Sequence, residues 1–130
     1  MPAQPLATEA FILLKRPPTD SFQAYTAFSA EHGALQLQQR IPKKSSGAAS
    51  PLDLFDEASL HLESSNQGRT WFVKEAQVIA RHPELGRSYE TLRLACALTT
   101  LVARNPVHEE SRASVAELLR AALVAFASGG

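Results

Sequence analysis

In LDLFDEASLHLE, residues 52–63, an alternation of apolar and polar residues starts, slips and starts again. Leu52 and Leu54 share one parity, and so do Ala58, Leu60 and Leu62, yet Phe55 falls on the other. A side-chain period of two marks a half-buried strand. A bulge near Phe55 to Glu57 would restore the phase and bend the strand. A long, bent strand is what a small sheet needs if it is to curl and close on itself.

Four more stretches carry the same period, and strands are predicted at Thr8–Lys15, Ser21–Ser29, Ala34–Arg40 and Thr70–Ile79 beside Leu52–Glu63. The separators have turn chemistry. Pro17 and Pro18 cannot sit in a central strand, Glu31-His32-Gly33 offers a glycine for positive φ, and residues 64–68, SSNQG, form a hairpin tip. Closure of five short strands removes edges that would otherwise invite pairing with other chains. The predicted fold is therefore α+β: a five-stranded oligonucleotide/oligosaccharide-binding (OB-fold) barrel over residues 1–81, then two packed helices in residues 82–130.

After His82-Pro83 the period becomes helical. Leu85, Tyr89, Leu92, Cys96 and Thr99 make one apolar row and Leu94, Leu98 and Leu101 a second, so this helix is expected to pack on two neighbours. Asn105-Pro106 ends it, because the residue before proline is pushed out of helical geometry. In the second helix Val115, Leu118, Leu119, Ala122, Leu123 and Phe126 form one stripe, and Gly129-Gly130 stops it.

Composition excludes several functions. Thirteen basic residues balance thirteen acidic ones, so any anionic partner must be held by a local patch rather than by the net field. No apolar run approaches the roughly 20 residues that cross a bilayer, and residues 1–6 lack the features of a signal peptide, so the expected location is cytoplasmic, with no membrane partner. One cysteine, Cys96, allows no internal disulfide, and His32, His61, His82 and His108 have no metal-ligand spacing. Phosphate-binding glycine loops, nucleophile elbows and zinc-protease motifs are all missing from the sequence. A non-enzymatic protein without cofactor or metal is expected.

The order of strand, Arg-Pro turn, strand, Gly turn, strand, basic loop, bent strand, strand and helices resembles the N-terminal part of the RecO family of bacterial recombination-repair proteins. EAFILLKRPPTDS, residues 9–21, is similar to that family's first strand and its Arg-Pro-x-Ser/Thr-Asp/Glu turn, with Arg16, Pro17, Thr19 and Asp20 at the matching positions. YTAFSAEHGALQL, residues 25–37, LDLFDEASLHLE and VKEAQVI, residues 73–79, resemble its later strands, and YETLRLACALTTLVARN, residues 89–105, resembles the start of its helical domain. The chain departs from the family where QRIPKK, residues 39–44, lacks a glycine, where Asp53 and Leu54 replace Gln and Pro, and where zinc cysteines are missing. The resemblance implies DNA binding and annealing in recombinational DNA repair after DNA damage. It also implies a RecR-like partner and, in the longer family members, contact with the tail of single-strand-binding protein.

Candidate site residues follow from both arguments. Lys15, Arg16, Arg40, Lys43 and Lys44 fall in loops or strand ends, where cations can track a single-stranded DNA backbone; the alternative is a solvated cluster that protects a sheet edge. Tyr25 and Trp71 are the candidate base-stacking aromatics, the alternative being packing beneath a helix or at a rim. By parity, Phe22, Ala24 and Phe28 share the face expected to fill the barrel and Tyr25 points away from it, while Phe11 and Phe72 are assigned to the core. An interaction scaffold with little DNA affinity, and a barrel for oligosaccharides or other small ligands, are the competing functional readings.

Overall fold

A computed structural model of the chain describes residues 4–41 and 52–128. Its strands are β1 (Gln4–Lys15), β2 (Phe22–Ser29), β3 (Gly33–Arg40), β4 (Glu57–Ser64) and β5 (Trp71–Ala80), followed by helices α1 (Tyr89–Arg104) and α2 (Arg112–Ala127). The strands close in the order β1-β2-β3-β5-β4. Every pairing is antiparallel except β3 with β5, which run parallel through Leu37 opposite Trp71 and Gln38 opposite Phe72. This is a five-stranded OB-fold barrel with two helices after it.

Among the described residues two hydrophobic cores form. Ala10, Ile12, Tyr25, Ala27, Leu35, Leu37, Leu60 and Leu62 fill the barrel, together with Leu52 and Ala58. Phe11, Leu13, Phe28 and Phe55 lie outside the barrel wall, where Leu85, Ala95, Ala116, Leu119 and Leu123 cover them. β1 serves both cores because its side chains alternate across the wall: Ala10 and Ile12 point in, Phe11 and Leu13 out. The pairing with β2 slips between Ile12 and Leu14, so that Lys15 comes to oppose the inward residue Tyr25. The extra residue thereby turns Lys15 towards the barrel mouth.

Residues 52–56 are not the bulged strand expected from their parity. They form a tight turn before β4, in which Phe55 adopts φ 72 and its amide donates to the Ile12 carbonyl at 2.9 Å. An aromatic residue in the left-handed region costs about 1–2 kcal/mol, offset here by burial of the ring among the helices. The turn joins the cores: Leu52 enters the barrel and Phe55 the helical layer. Irregularities in the β4–β5 ladder occur instead between Glu57 and Ala58 and between His61 and Leu62, where β5 carries the extra residue.

Side of burial also differs from expectation. Tyr25 is 1% exposed inside the barrel, whereas Phe28 is equally buried on the outside. The parity holds and the assignment of faces is inverted, because helices cover part of the outer wall and make both faces of β2 apolar there. Ser88 caps α1, its hydroxyl accepting from the Thr91 amide at 3.4 Å, and extended Asn105 ends it. α1 buries Ala95 and Thr99, with Leu92, Cys96, Leu98 and Val102 partly covered. Tyr89, Leu94 and Leu101 of its two expected rows are exposed, as is Leu118 of α2. The barrel and the other helix together cover one stripe of each helix, and these residues lie off it. No helix among the described residues is long and apolar enough to cross a membrane.

Candidate nucleic-acid interface

The helices leave one end of the outer wall open. Cross-strand partners share a face, so the register Phe22/Arg40, Ala24/Gln38 and Thr26/Gln36 places these six side chains on one surface, and the parallel pair Gln38/Phe72 extends it to β5. Phe22 and Phe72 meet edge to face, with ring centroids 5.9 Å apart at 63°. The guanidinium of Arg40 lies over the Phe22 ring, 5.7 Å from its centroid. Phe72 is therefore half-buried on the outer wall and is not part of the core to which parity assigns it.

Local hydrogen bonds fix this end of β2. The Phe22 amide donates to Thr19 Oγ1 at 3.0 Å, and the Thr19 amide donates to the Phe22 carbonyl at 2.9 Å, which closes the turn after Pro17-Pro18. The Arg16 amide donates to the Ala24 carbonyl at 3.0 Å, and the Gln23 side-chain amide donates to the Arg16 carbonyl. The Ile41 amide donates to the Ser21 carbonyl at 2.8 Å, tying the end of β3 to the same turn. Arg16 and Arg40 are both exposed beside this surface, and among the described residues neither has a carboxylate within ion-pair distance.

The other candidates separate from this pair. Lys15 Nζ lies 3.5 Å from Asp53 Oδ1 at the barrel mouth, so part of its charge is answered within the chain. Lys43 and Lys44 lie outside the described residues. Tyr25 is not an exposed stacking residue: its single hydroxyl proton faces two acceptors, the Leu52 carbonyl at 3.0 Å and Gln39 Oε1 at 3.2 Å. Burial, then the nearby carboxylates of Asp53 and Asp56, push its phenol up from 10 to about 12. Trp71 is half-buried, packs against the barrel core and lies beneath the tip glycine Gly68. Phe22 and Phe72 are the outer-wall aromatics that sequence reasoning misses. The alternation of β2 sets Phe22 opposite in face to Tyr25, but only the β3–β5 pairing brings Phe72 to it.

Acidic residues bound the surface. Glu63 opposes Phe72 across β4–β5 and faces Lys74 at 4.0 Å. Asp56 and Glu57 are occupied elsewhere, Asp56 by both nitrogens of a fork from Arg81, at 3.0 and 2.7 Å, and Glu57 by Arg120 at 3.2 and 2.8 Å. Each hydrogen bond raises its arginine's pKa above the ordinary value. Among the described residues no three His, Cys, Asp or Glu side chains are grouped so as to hold a metal ion.

No family model and no curated protein matches the chain. Among solved structures it is similar to a chain from a structure of a Replication Protein A heterotrimer bound to ssDNA, with 17% sequence identity, 77% of this chain and 75% of that chain covered, and a TM-score of 0.43.

Proposed function

We propose that the chain is a non-catalytic single-stranded DNA-binding module, with Arg16 and Arg40 as its backbone contacts on the barrel and Lys43 and Lys44 following in sequence. The observation that carries this reading is the position of Arg40. Its guanidinium sits on the strand 2 and 3 face, the surface on which OB-folds bind oligonucleotides, with no carboxylate partner among the described residues. Arg16 adds a second cation from the β1–β2 turn, the other element that OB-folds use. The Arg16-Pro17-Pro18-Thr19-Asp20 turn favours a RecO-like role in recombinational repair, with strand annealing as the activity and a RecR-like protein as a partner. The tail of single-strand-binding protein is a further partner that the resemblance implies.

A second reading, an interaction scaffold with little DNA affinity, draws on the exposed Tyr89, Leu94, Leu101, Leu118 and Val124 of the helices and on the Lys15–Asp53 pair. Fluorescence anisotropy with labelled oligo(dT) at about 50 and 200 mM salt separates the two. About 3–4 phosphate contacts give a salt slope of about −2 to −3, at about 0.7 per contact on single strands. Replacing Arg16 and Arg40 together by Gln is expected to flatten that slope by about 1.4. Binding without a salt slope, or no binding at all, refutes the DNA-binding reading in favour of the scaffold.

A further inference from the structure

We infer that Phe22, Phe72 and Arg40 form a stacking site for one unpaired nucleobase, in which the base replaces the Arg40 guanidinium over the Phe22 ring and the guanidinium moves to the adjoining phosphate. This rests on the DNA-binding reading above and specifies how the open face would hold a single strand.

Neither ring is used to hold the fold. Phe22 and Phe72 sit on the outer wall, half-buried, and neither belongs to the two cores that hold the fold. An edge-to-face pair on a sheet surface keeps aromatic area available to a planar ligand, since a T-shaped contact uses the edge of one ring and one face of the other and leaves the remaining faces outside the pair. The cover over Phe22 is a charged group at 5.7 Å, exposed to water. A cation–π contact at an exposed site is weak, because water already solvates the cation, whereas a base stacked on an aromatic side chain buries two apolar faces and gains more. Exchange of the guanidinium for a base is therefore favourable, and the released Arg40 carries its charge to where the nucleotide's phosphate must lie. Gln38, between Ala24 and Phe72 on the same surface, offers an amide to the edge of the stacked base. Duplex DNA is excluded because its bases are already stacked and their faces are not presented.

The test uses the whole chain and oligo(dT) containing a single 2-aminopurine, whose fluorescence is quenched when it stacks. Phe22→Ala and Phe72→Ala are each expected to lose about 5- to 150-fold in affinity and most of the quenching, while the salt slope stays unchanged. Arg40→Gln is expected to flatten the slope by about 0.7 and to keep the quenching. As a second measurement that needs no substitution, wild-type protein is irradiated with 5-iodouracil-substituted oligo(dT), and cross-links are expected on Phe22 or Phe72. If wild-type protein shows no salt-dependent binding, the DNA-binding reading itself falls. If it binds with the expected slope but both alanine variants bind as tightly, or the cross-links lie only elsewhere, the stacking site alone is overturned.

Discussion

Phe28 and Phe22 stand on the same outer face of β2, six residues and so about 20 Å apart, and they have opposite fates. Phe28 is 1% exposed in the layer beneath α1 and α2, while Phe22 remains at the surface with an arginine over its ring. The difference is coverage. Where helices lie against the wall, an outward aromatic becomes core and supports folding; where they stop, the same residue type at the same parity becomes a surface that a ligand can use. One wall of one barrel thus divides into a structural end and an open end.

The largest effect should come from stripping the covered end. Residues 1–81 alone would expose Phe11, Leu13, Phe28 and Phe55, which need the helices to stay dry. That fragment is expected to lose cooperative melting or to aggregate, as read by calorimetry and light scattering. A fragment that stays monomeric and melts like the whole chain would mean that the helices are an independent appendage. Next comes the matched pair of substitutions. Phe28→Ala should cost about 3–5 kcal/mol in urea unfolding, and Phe22→Ala no more than about 1.5 kcal/mol, the upper range for an aromatic pair. Equal costs would erase the distinction between the two ends.

A smaller effect tests the turn that links the cores. Asp56 is buried and its Arg81 partner is partly exposed, so the two sides of the pair are unequal. Arg81→Ala removes the counter-charge from a buried carboxylate that keeps the Asp53 amide at 2.8 Å, and is expected to cost about 2 kcal/mol. Replacing Asp56 and Arg81 together by Asn and Ala should cost less than the two single changes added, which a double-mutant cycle would measure. Additivity would show that the ion pair contributes nothing beyond its separate residues.

The smallest effect at neutral pH concerns the barrel interior, where its signature is a dependence on alkaline pH. Tyr25 is raised to about 12 in the folded chain, from 10. Between those values the unfolded chain has lost the phenol proton and the folded chain retains it, so stability falls as pH rises, by at most about 1.4 kcal/mol per pH unit from this group. The contribution is complete below pH 10. Tyr25→Phe should remove this part of the alkaline slope and sacrifice about 1 kcal/mol of hydrogen bonding at neutral pH. Denaturant titrations of both proteins at several alkaline pH values provide the check. An unchanged slope in the variant would mean that Tyr25 ionises in the folded barrel as readily as in the unfolded chain.

Much of this architecture is legible in the sequence. The period of two and the turn residues at Pro17-Pro18, Gly33 and Gly68 mark out all five strands, and Asn105-Pro106 marks the end of α1. The inward face of β2 is not legible, since Tyr25 and Phe28 are of opposite parity and equally buried, one by the barrel and one by the helices. Nor can local pattern foresee the slip in β1 that turns Lys15 to Asp53, or the positive φ that makes residues 52–56 a turn. Of the candidate site, the cations Arg16 and Arg40 are legible as exposed strand-end residues. Its aromatics are not, because Phe22 and Phe72 are 50 positions apart and meet only through the parallel β3–β5 pairing.

The contrast between the two ends is tested most directly by a backbone amide chemical-shift map of the isotope-labelled chain, recorded as single-stranded oligo(dT) is added. The changes are expected to gather at residues 22–24 of β2, 38–40 of β3 and 71–73 of β5, with α1, α2 and the amides around Phe28 unmoved. Changes confined to the helices, with the open end of the wall silent, would contradict it.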